Sequence, residues 1–136
     1  MKRVFCHMGV VAVLFFGACD SNRKLSQDNA EKAIKGYAST HQTGAPVDYL
    51  GANNCFFNVQ SIASIERLSQ FSDTEATSVV TLKCGGVGTL RFKFVFQKDV
   101  DNRWFLMKIQ SVEGDSPSGG IANWIARNQN LKVLAQ

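Results

Sequence analysis

Residues 90–112 read LRFKFVFQKDVDNRWFLMKIQSV, and this stretch decides the fold. Its first part carries an apolar side chain at every second position: Leu90, Phe92, Phe94 and Phe96. A period of two over this length predicts a β-strand with one buried face. The polar segment 99–103 predicts a turn, and residues 104–112 predict a strand that returns beside the first. The stretch therefore predicts an antiparallel hairpin.

Two further extended segments precede this hairpin. Residues 76–84 alternate apolar and polar side chains and are rich in β-branched residues, which favour strands. Residues 57–68 form a weaker strand whose alternation slips near Ser61, and the slip predicts a bend or bulge. Short polar or glycine-rich segments separate these strands. Because consecutive strands with short connections usually pair, the sequence predicts a four-stranded antiparallel meander.

An amphipathic helix is predicted upstream of the strands. Its apolar stripe repeats with a helical period: Ala30, Ala33, Ile34, Tyr37 and Ala38. Ser26 is suited to cap the first turn. A helix with one apolar face must bury it, so we expect this helix to pack across one face of the meander. Residues 26–113 are thereby predicted to form one α+β domain.

Residues 114–136 are predicted to form a linker and a short C-terminal helix. The composition of 114–120 (GDSPSGG) is typical of a flexible linker. Ile121, Trp124 and Ile125 share one face of the helix that follows. Docking of this face on its own domain is the favoured interpretation, and binding of a partner or of a membrane surface is the alternative. The three side chains are therefore the candidate residues for binding a partner.

Residues 1–18 have the pattern of an export signal. Two basic residues near the start precede an apolar run that is shorter than the roughly 20 residues needed to span a bilayer as a helix. The run ends with Phe16-Gly17-Ala18-Cys19. This end resembles the lipobox of bacterial lipoproteins, although Phe16 stands where leucine is usual. An ordinary signal peptide and an uncleaved anchor are the alternatives.

The lipobox resemblance implies an anchor at Cys19. In that family the cysteine sulfur receives a diacylglycerol, cleavage occurs just before the cysteine, and the new amino group is acylated by a fatty acid such as palmitate. Residues 19–25 would then be a lipidated tether to the membrane. Asp20 resembles the signal that retains lipoproteins at the inner membrane, which favours the periplasmic face of that membrane and leaves the outer membrane open.

The net charge of the whole chain overstates its basicity. The formal charge is +4, from 15 basic and 11 acidic residues. The signal segment carries two of the basic residues, so the mature chain keeps 13 basic and 11 acidic residues and a charge of +2. Arg91 and Lys93 alternate with phenylalanines, but an exported protein is not expected to bind nucleic acid. We therefore interpret them as part of a solvated sheet face.

Two cysteines belong to the predicted domain. Cys6 lies in the signal and Cys19 is the lipid site, which leaves Cys55 and Cys84. Exported chains meet an oxidising compartment, where such a pair is expected to form a disulfide. We favour this over a redox pair or half of a metal site, because no Cys-x-x-Cys motif is present.

The sequence offers little that points to catalysis, a metal or a cofactor. The one histidine beyond the signal, His41, excludes a two-histidine metal site. The glycines of 85–88 precede a strand and lack the lysine of a phosphate loop. Asp99, Asp101 and Asn102 lack the later glycine and glutamate of a calcium loop, so they are predicted to form a turn.

Three scattered carboxylates are the remaining candidates for chemistry. Asp48, Glu66 and Glu113 have no spacing that requires them to meet, so hydrolysis is the weakest hypothesis. We expect no metal, no cofactor and no enzymatic activity.

The order of one helix followed by a long antiparallel meander resembles the cystatin-like or nuclear-transport-factor-like class of small α+β domains. The resemblance covers about residues 26–112 and centres on the hairpin 96–109. It implies a curved sheet with a concave face that is used more often for binding than for catalysis. We therefore expect a lipid-anchored envelope protein that binds another protein, as an accessory subunit, an inhibitor or an immunity protein. The alternative is a carrier of a small apolar ligand between helix and sheet.

Overall fold

The strands predicted in residues 57–112 build most of the fold in the computed structural model, which describes residues 24–40, 46–48, 55–85, 88–117 and 119–136. The elements in chain order are α1 (Gln27–Thr40), β1 (Pro46–Asp48), β2 (Cys55–Phe56), β3 (Ile62–Ile65), β4 (Ser69–Gln70), β5 (Glu75–Cys84), β6 (Gly88–Lys98), β7 (Trp104–Ser111), α2 (Gly119–Arg127) and β8 (Val133–Leu134). A 3-10 helix at Val59–Ser61 precedes β3.

The larger sheet is antiparallel and curled. Its order is β3-β5-β6-β7-β8, and β4 pairs with the other part of β5. With the two helices it confirms the predicted α+β class. The described residues give this sheet six strands where the sequence predicted four, because β4 and β8 have two residues each and show no periodicity. Strands β1 and β2 form a separate two-stranded sheet.

Two β-bulges keep apolar side chains on the core face. In β7, Leu106 lies opposite Phe96 and Ile109 lies opposite Phe94, so one extra residue separates the two pairs. Both Leu106 and Ile109 are fully buried, although they are three positions apart. A second irregularity interrupts β3 just after Ile62. The broken alternation that the sequence shows near Ser61 coincides with the 3-10 helix at Val59–Ser61, so of the segment predicted as a strand over residues 57–68 the part Ile62–Ile65 forms β3.

Helix α1 buries the stripe that the sequence predicts. The five apolar residues of that stripe are the buried residues of the helix. At its start, the Oγ of Ser26 accepts a hydrogen bond from the backbone N–H of Asn29 at 3.2 Å. This bond satisfies one of the donors that a helix start leaves open, so Ser26 is the N-cap. These buried side chains belong to the same core as the phenylalanines of β6.

Phe57 lies at the centre of the aromatic core. Its ring centroid is 5.6 Å from each of three rings: Tyr37 of α1, Phe94 of β6 and Trp124 of α2. The ring of Trp124 continues the cluster to Phe92 at 4.9 Å. All five side chains are buried. Tilted rings at these distances attract each other beyond the area that they bury, so both helices and the sheet share one core.

The C-terminal segment is part of this core. Strand β8 pairs with β7, with Leu134 opposite Phe105, and Ala135 is 2% exposed. Asn128, just after α2, accepts at its Oδ1 a hydrogen bond from the Oη of Tyr37 and donates through Nδ2 to the carbonyl of Trp124 at 2.6 Å. The glycine-rich composition of residues 114–120 predicts the linker but gives no sign of this return to the sheet.

Candidate functional site

A cleft lies at one end of the sheet, between the start of β6, the end of β7 and α2. Its volume is about 480 Å³. We call it the β6–α2 cleft and define it by its lining residues: Thr89, Leu90, Arg91, Phe92, Ser111, Val112, Glu113, Asp115, Ser116, Pro117, Ile121 and Ile125. A second cavity of about 390 Å³ shares Ser111, Pro117 and Ile125 with it and continues along α2. The two cavities together form a groove.

The cleft exists because β7 is shorter than β6. The last residue of β7, Ser111, lies opposite Phe92. The chain then turns away: the backbone N–H of Asp115 donates to the carbonyl of Val112 at 3.0 Å, and Gly114 has φ 89°. A non-glycine residue would be strained at that angle. Beyond Phe92, β6 therefore has no strand beside it on the β7 side in the described part of the chain.

Among the strands that the structure describes, the start of β6 is thus an edge beside the cleft. Its residues 88–91 pair there with β5 on one side, from Gly88 opposite Cys84 to Arg91 opposite Thr81. Backbone N–H and C=O groups on a free edge are available to another extended chain. We call residues 88–91 the β6 edge.

The structure places the three candidate partner-binding residues differently. Trp124 is 3% exposed and belongs to the aromatic core. Ile121 and Ile125 are half-buried, pack against the core and line the β6–α2 cleft. Of these three side chains, Ile121 and Ile125 present surface that a partner can reach, and Trp124 does not.

The cleft has an apolar floor and an acidic rim. Leu90, Phe92 and the two isoleucines supply the apolar surface, whereas Glu113 and Asp115 are exposed at the rim. In the described chain neither carboxylate has an ion-pair partner. Arg91, which also lines the cleft, pairs with Glu66, which its Nη2 reaches at 2.8 Å. The rim itself therefore carries negative charge.

Cys55 and Cys84 lie close to this end of the sheet. Their sulfur atoms are 2.00 Å apart, at the distance of a disulfide bond, and both residues are buried. Cys84 ends β5 and lies opposite Gly88, the first residue of the β6 edge. A bond at this point would fix the segment around β2 to the strand that supports the β6 edge.

The turn between β6 and β7 is held by Asp99. Its carboxylate accepts hydrogen bonds from the backbone N–H groups of Asp101 and Arg103 and from the guanidinium of Arg103. The backbone N–H of Arg103 is the main reason that the pKa of Asp99 lies below its ordinary value. Asn102 takes the positive φ of 60° that closes the turn. The residues considered for calcium thus form a hairpin turn.

Other candidate residues are scattered or undescribed. Cys19, Asp20 and His41 lie outside the described residues, as does the side chain of Asp48. Glu66 forms its ion pair with Arg91, and Glu113 lies at the cleft rim. Among the described residues, no three histidine, cysteine or acidic side chains are grouped closely enough to hold a metal ion.

Sequence reasoning missed the hydrogen bond between Tyr37 and Asn128. Burial raises the pKa of Tyr37, and its hydroxyl donates this bond to Asn128. The apolar stripe predicts that Tyr37 is buried, but nothing in the sequence points to Asn128 as its partner 91 residues away.

In the part of the chain that the structure describes, no helix is long and apolar enough to cross a membrane. Comparisons with protein-family models, curated proteins and solved structures found nothing that matches this chain.

Proposed function

We propose that this chain is a lipid-anchored protein of the bacterial cell envelope whose domain binds another protein at the β6–α2 cleft. The export signal and the lipobox ending at Cys19 support the anchor. The pairing of Cys55 with Cys84 at bonding distance fits an oxidising compartment. In this proposal α1 packs across one face of the curved meander, as in the cystatin-like or nuclear-transport-factor-like class.

The observation that carries the binding site is the β6 edge beside an apolar cleft. An extended segment of a partner adds to such an edge through main-chain hydrogen bonds, and its alternate side chains enter the neighbouring pocket. The β6 edge has room for about two such side chains, because alternate residues of a strand point to the same face. Leu90 lines the cleft, so partner side chains on the same face of the sheet as Leu90 would enter it.

The lining residues define the partner segment by its chemistry. Leu90, Ile121 and Ile125 favour an apolar side chain in the cleft. Glu113 and Asp115 favour a lysine or arginine next to it, since opposite charges across an interface set partner choice and the rate of association. The proposed partner therefore presents an extended segment with an apolar residue beside a basic one.

The carrier alternative has less support. The space between α1 and the sheet is occupied by the rings of Tyr37, Phe57 and Phe94, all of which are buried. An apolar ligand at that place would have to displace part of this cluster. Protein binding at the open cleft requires no such change.

The experiment that tests the site uses a photo-crosslinking amino acid at Thr89, on the β6 edge. The full chain is expressed in bacteria and irradiated, and the crosslinked peptides are identified by mass spectrometry. Asp73, an exposed residue between β4 and β5, carries the same crosslinker as a matched control. We expect position 89, and not position 73, to crosslink to one segment of an envelope protein.

A charge reversal then tests the recognition. Glu113→Lys should reduce the yield of the crosslink from position 89 several-fold, whereas Asp73→Lys should leave it unchanged. Both residues are exposed, so neither change should unfold the domain. Equal crosslinking from both positions, or adducts on unrelated segments, would overturn the proposed site. A lipid-sized adduct at position 89 in place of a protein would also overturn the proposal that the cleft binds a protein.

A further inference from the structure

We propose that the end of the domain opposite the β6–α2 cleft is a docking surface for an anionic lipid bilayer, which holds the cleft away from the membrane. This inference rests on the proposed lipid anchor at Cys19. We call the surface the turn surface and define it by its residues: Lys24, Lys98, Val100, Arg103 and Lys132.

The first argument is the length of the tether. Five residue-to-residue steps separate Cys19 from Lys24, where the described chain begins. Even fully extended, five steps span at most about 18 Å. Lys24 lines a small cavity with Asn102 and Trp104, so the chain enters the domain beside the turn between β6 and β7. An acylated Cys19 therefore brings the turn surface close to the bilayer.

The second argument is the position of the cleft. The turn surface lies at the Lys98 end of β6, whereas the cleft lies at the Leu90 end. Eight steps along the strand separate these residues, or about 27 Å. The tether spans less than this distance. The cleft end therefore cannot contact the bilayer while the turn surface points away from it.

The third argument is the chemistry of the turn surface. Val100 is 97% exposed at the tip of the hairpin, the most exposed of the large apolar side chains in the part of the chain that the structure describes. Three cations lie at the base of the hairpin. Lys98 lies 5.5 Å from the ring centroid of Trp104, and Arg103 and Lys132 each lie 5.5 Å from that of Phe105. An apolar tip with basic side chains at its base suits the boundary between headgroups and acyl chains.

The two ends carry different charged groups. The turn surface has four basic side chains, and the carboxylates of Asp99 and Asp101 are both bound to Arg103. Asp73 and Glu75 lie at the same end, because Thr74 accepts a hydrogen bond from Lys98 and Glu75 lies opposite Gln97. Among the described residues, the three lysines of the turn surface have no ion pair, whereas the cleft end carries Glu113 and Asp115 at its rim and Lys83 opposite Thr89. A negative bilayer surface attracts the three lysines and repels the rim carboxylates, so these charges and the tether favour the same orientation.

Weak contacts are sufficient here because the anchor already holds the domain at the surface. Each basic side chain near an anionic bilayer improves binding about fivefold. The anchor keeps the turn surface at a local concentration in the millimolar range relative to the bilayer. At that concentration the fivefold improvements from the basic side chains multiply the docked fraction. The docked orientation therefore does not require a large apolar patch.

The test places an environment-sensitive fluorophore on Val100→Cys in the full acylated chain, reconstituted in phosphatidylcholine vesicles with or without phosphatidylglycerol. Lys83→Cys is the control, because Lys83 is exposed and lies opposite Thr89 at the cleft end. We expect a blue shift, and quenching by nitroxide lipids, for the probe at position 100 when phosphatidylglycerol is present. The probe at position 83 should remain in water.

A second pair of variants tests the role of charge. Lys24→Gln with Lys132→Gln should lower the docked-to-undocked ratio by about 25-fold, or fivefold for each lysine. Lys32→Gln with Lys35→Gln, on the exposed face of α1, should not change it. An acylated chain whose position 100 stays in water, or whose two probes respond alike, overturns this inference and leaves the anchor intact. A chain that carries no acyl group at Cys19 overturns both.

Discussion

The ring centroid of Phe57 lies 5.6 Å from that of Trp124, although 67 positions separate the two residues in the sequence. This contact joins the segment after Cys55 to helix α2, which forms one wall of the β6–α2 cleft. The core and the proposed binding site therefore share a wall. A change that loosens the core at Phe57 should also reach the cleft.

Phe57→Ala should destabilise the domain by about 3–5 kcal/mol, because the change removes a buried ring and leaves a cavity among three others. Thermal or urea unfolding measures this loss. Phe71→Ala is the matched control: Phe71 is 71% exposed, so its loss should change the free energy of unfolding by no more than about 0.5 kcal/mol. Similar effects of the two changes would show that Phe57 is not central to the core.

A disulfide between Cys55 and Cys84 should add about 3.5 kcal/mol to the free energy of unfolding, since it closes a loop of 29 residues in the unfolded chain. Replacing both cysteines by alanine should lower the midpoint of urea unfolding by a matching amount. Intact-mass measurement before and after reduction checks the bond itself, with an expected gain of two hydrogens. An unchanged mass would contradict the pairing.

Asp99 should titrate below the ordinary aspartate pKa of about 3.9. A carboxyl whose pKa is lower in the folded state stabilises the fold above the unfolded pKa, and this contribution is lost as the pH falls through the folded pKa. An NMR titration of the side-chain carboxyl measures the shift. Arg103→Gln keeps the backbone donor and removes the guanidinium, so the pKa should rise only part of the way. An ordinary pKa in the unchanged chain would contradict the turn geometry.

Cys19→Ala should abolish labelling by a fatty-acid probe and release the protein from the membrane fraction. The physical reason is that the remaining attraction of the turn surface is too weak to hold an untethered domain. Cys6→Ala, in the signal segment, is the control and should leave labelling intact. Labelling that persists in Cys19→Ala would refute the lipobox assignment.

Much of the fold follows from periodicity. The alternation at residues 90–96 and the helical stripe from Ala30 to Ala38 predict β6 and α1, because each signal extends over several repeats. Strand β8 has two residues and cannot produce such a signal. Its place beside β7 depends on contacts between distant parts of the chain.

The candidate site is less accessible from sequence. The apolar face of α2 predicts Ile121, Trp124 and Ile125 as a group, but periodicity does not tell which of them reaches the surface. Trp124 is buried because Phe57 and Phe92 surround it. The β6 edge is also invisible in the sequence, since it results from the different lengths of β6 and β7.

Photo-crosslinking in intact bacteria from two positions of the same chain tests both the binding site and the orientation at the membrane: Thr89 on the β6 edge and Val100 on the turn surface. We expect protein adducts from position 89 and phospholipid adducts from position 100. Phospholipid adducts from position 89 together with protein adducts from position 100 would contradict it, as would the absence of any protein adduct from position 89.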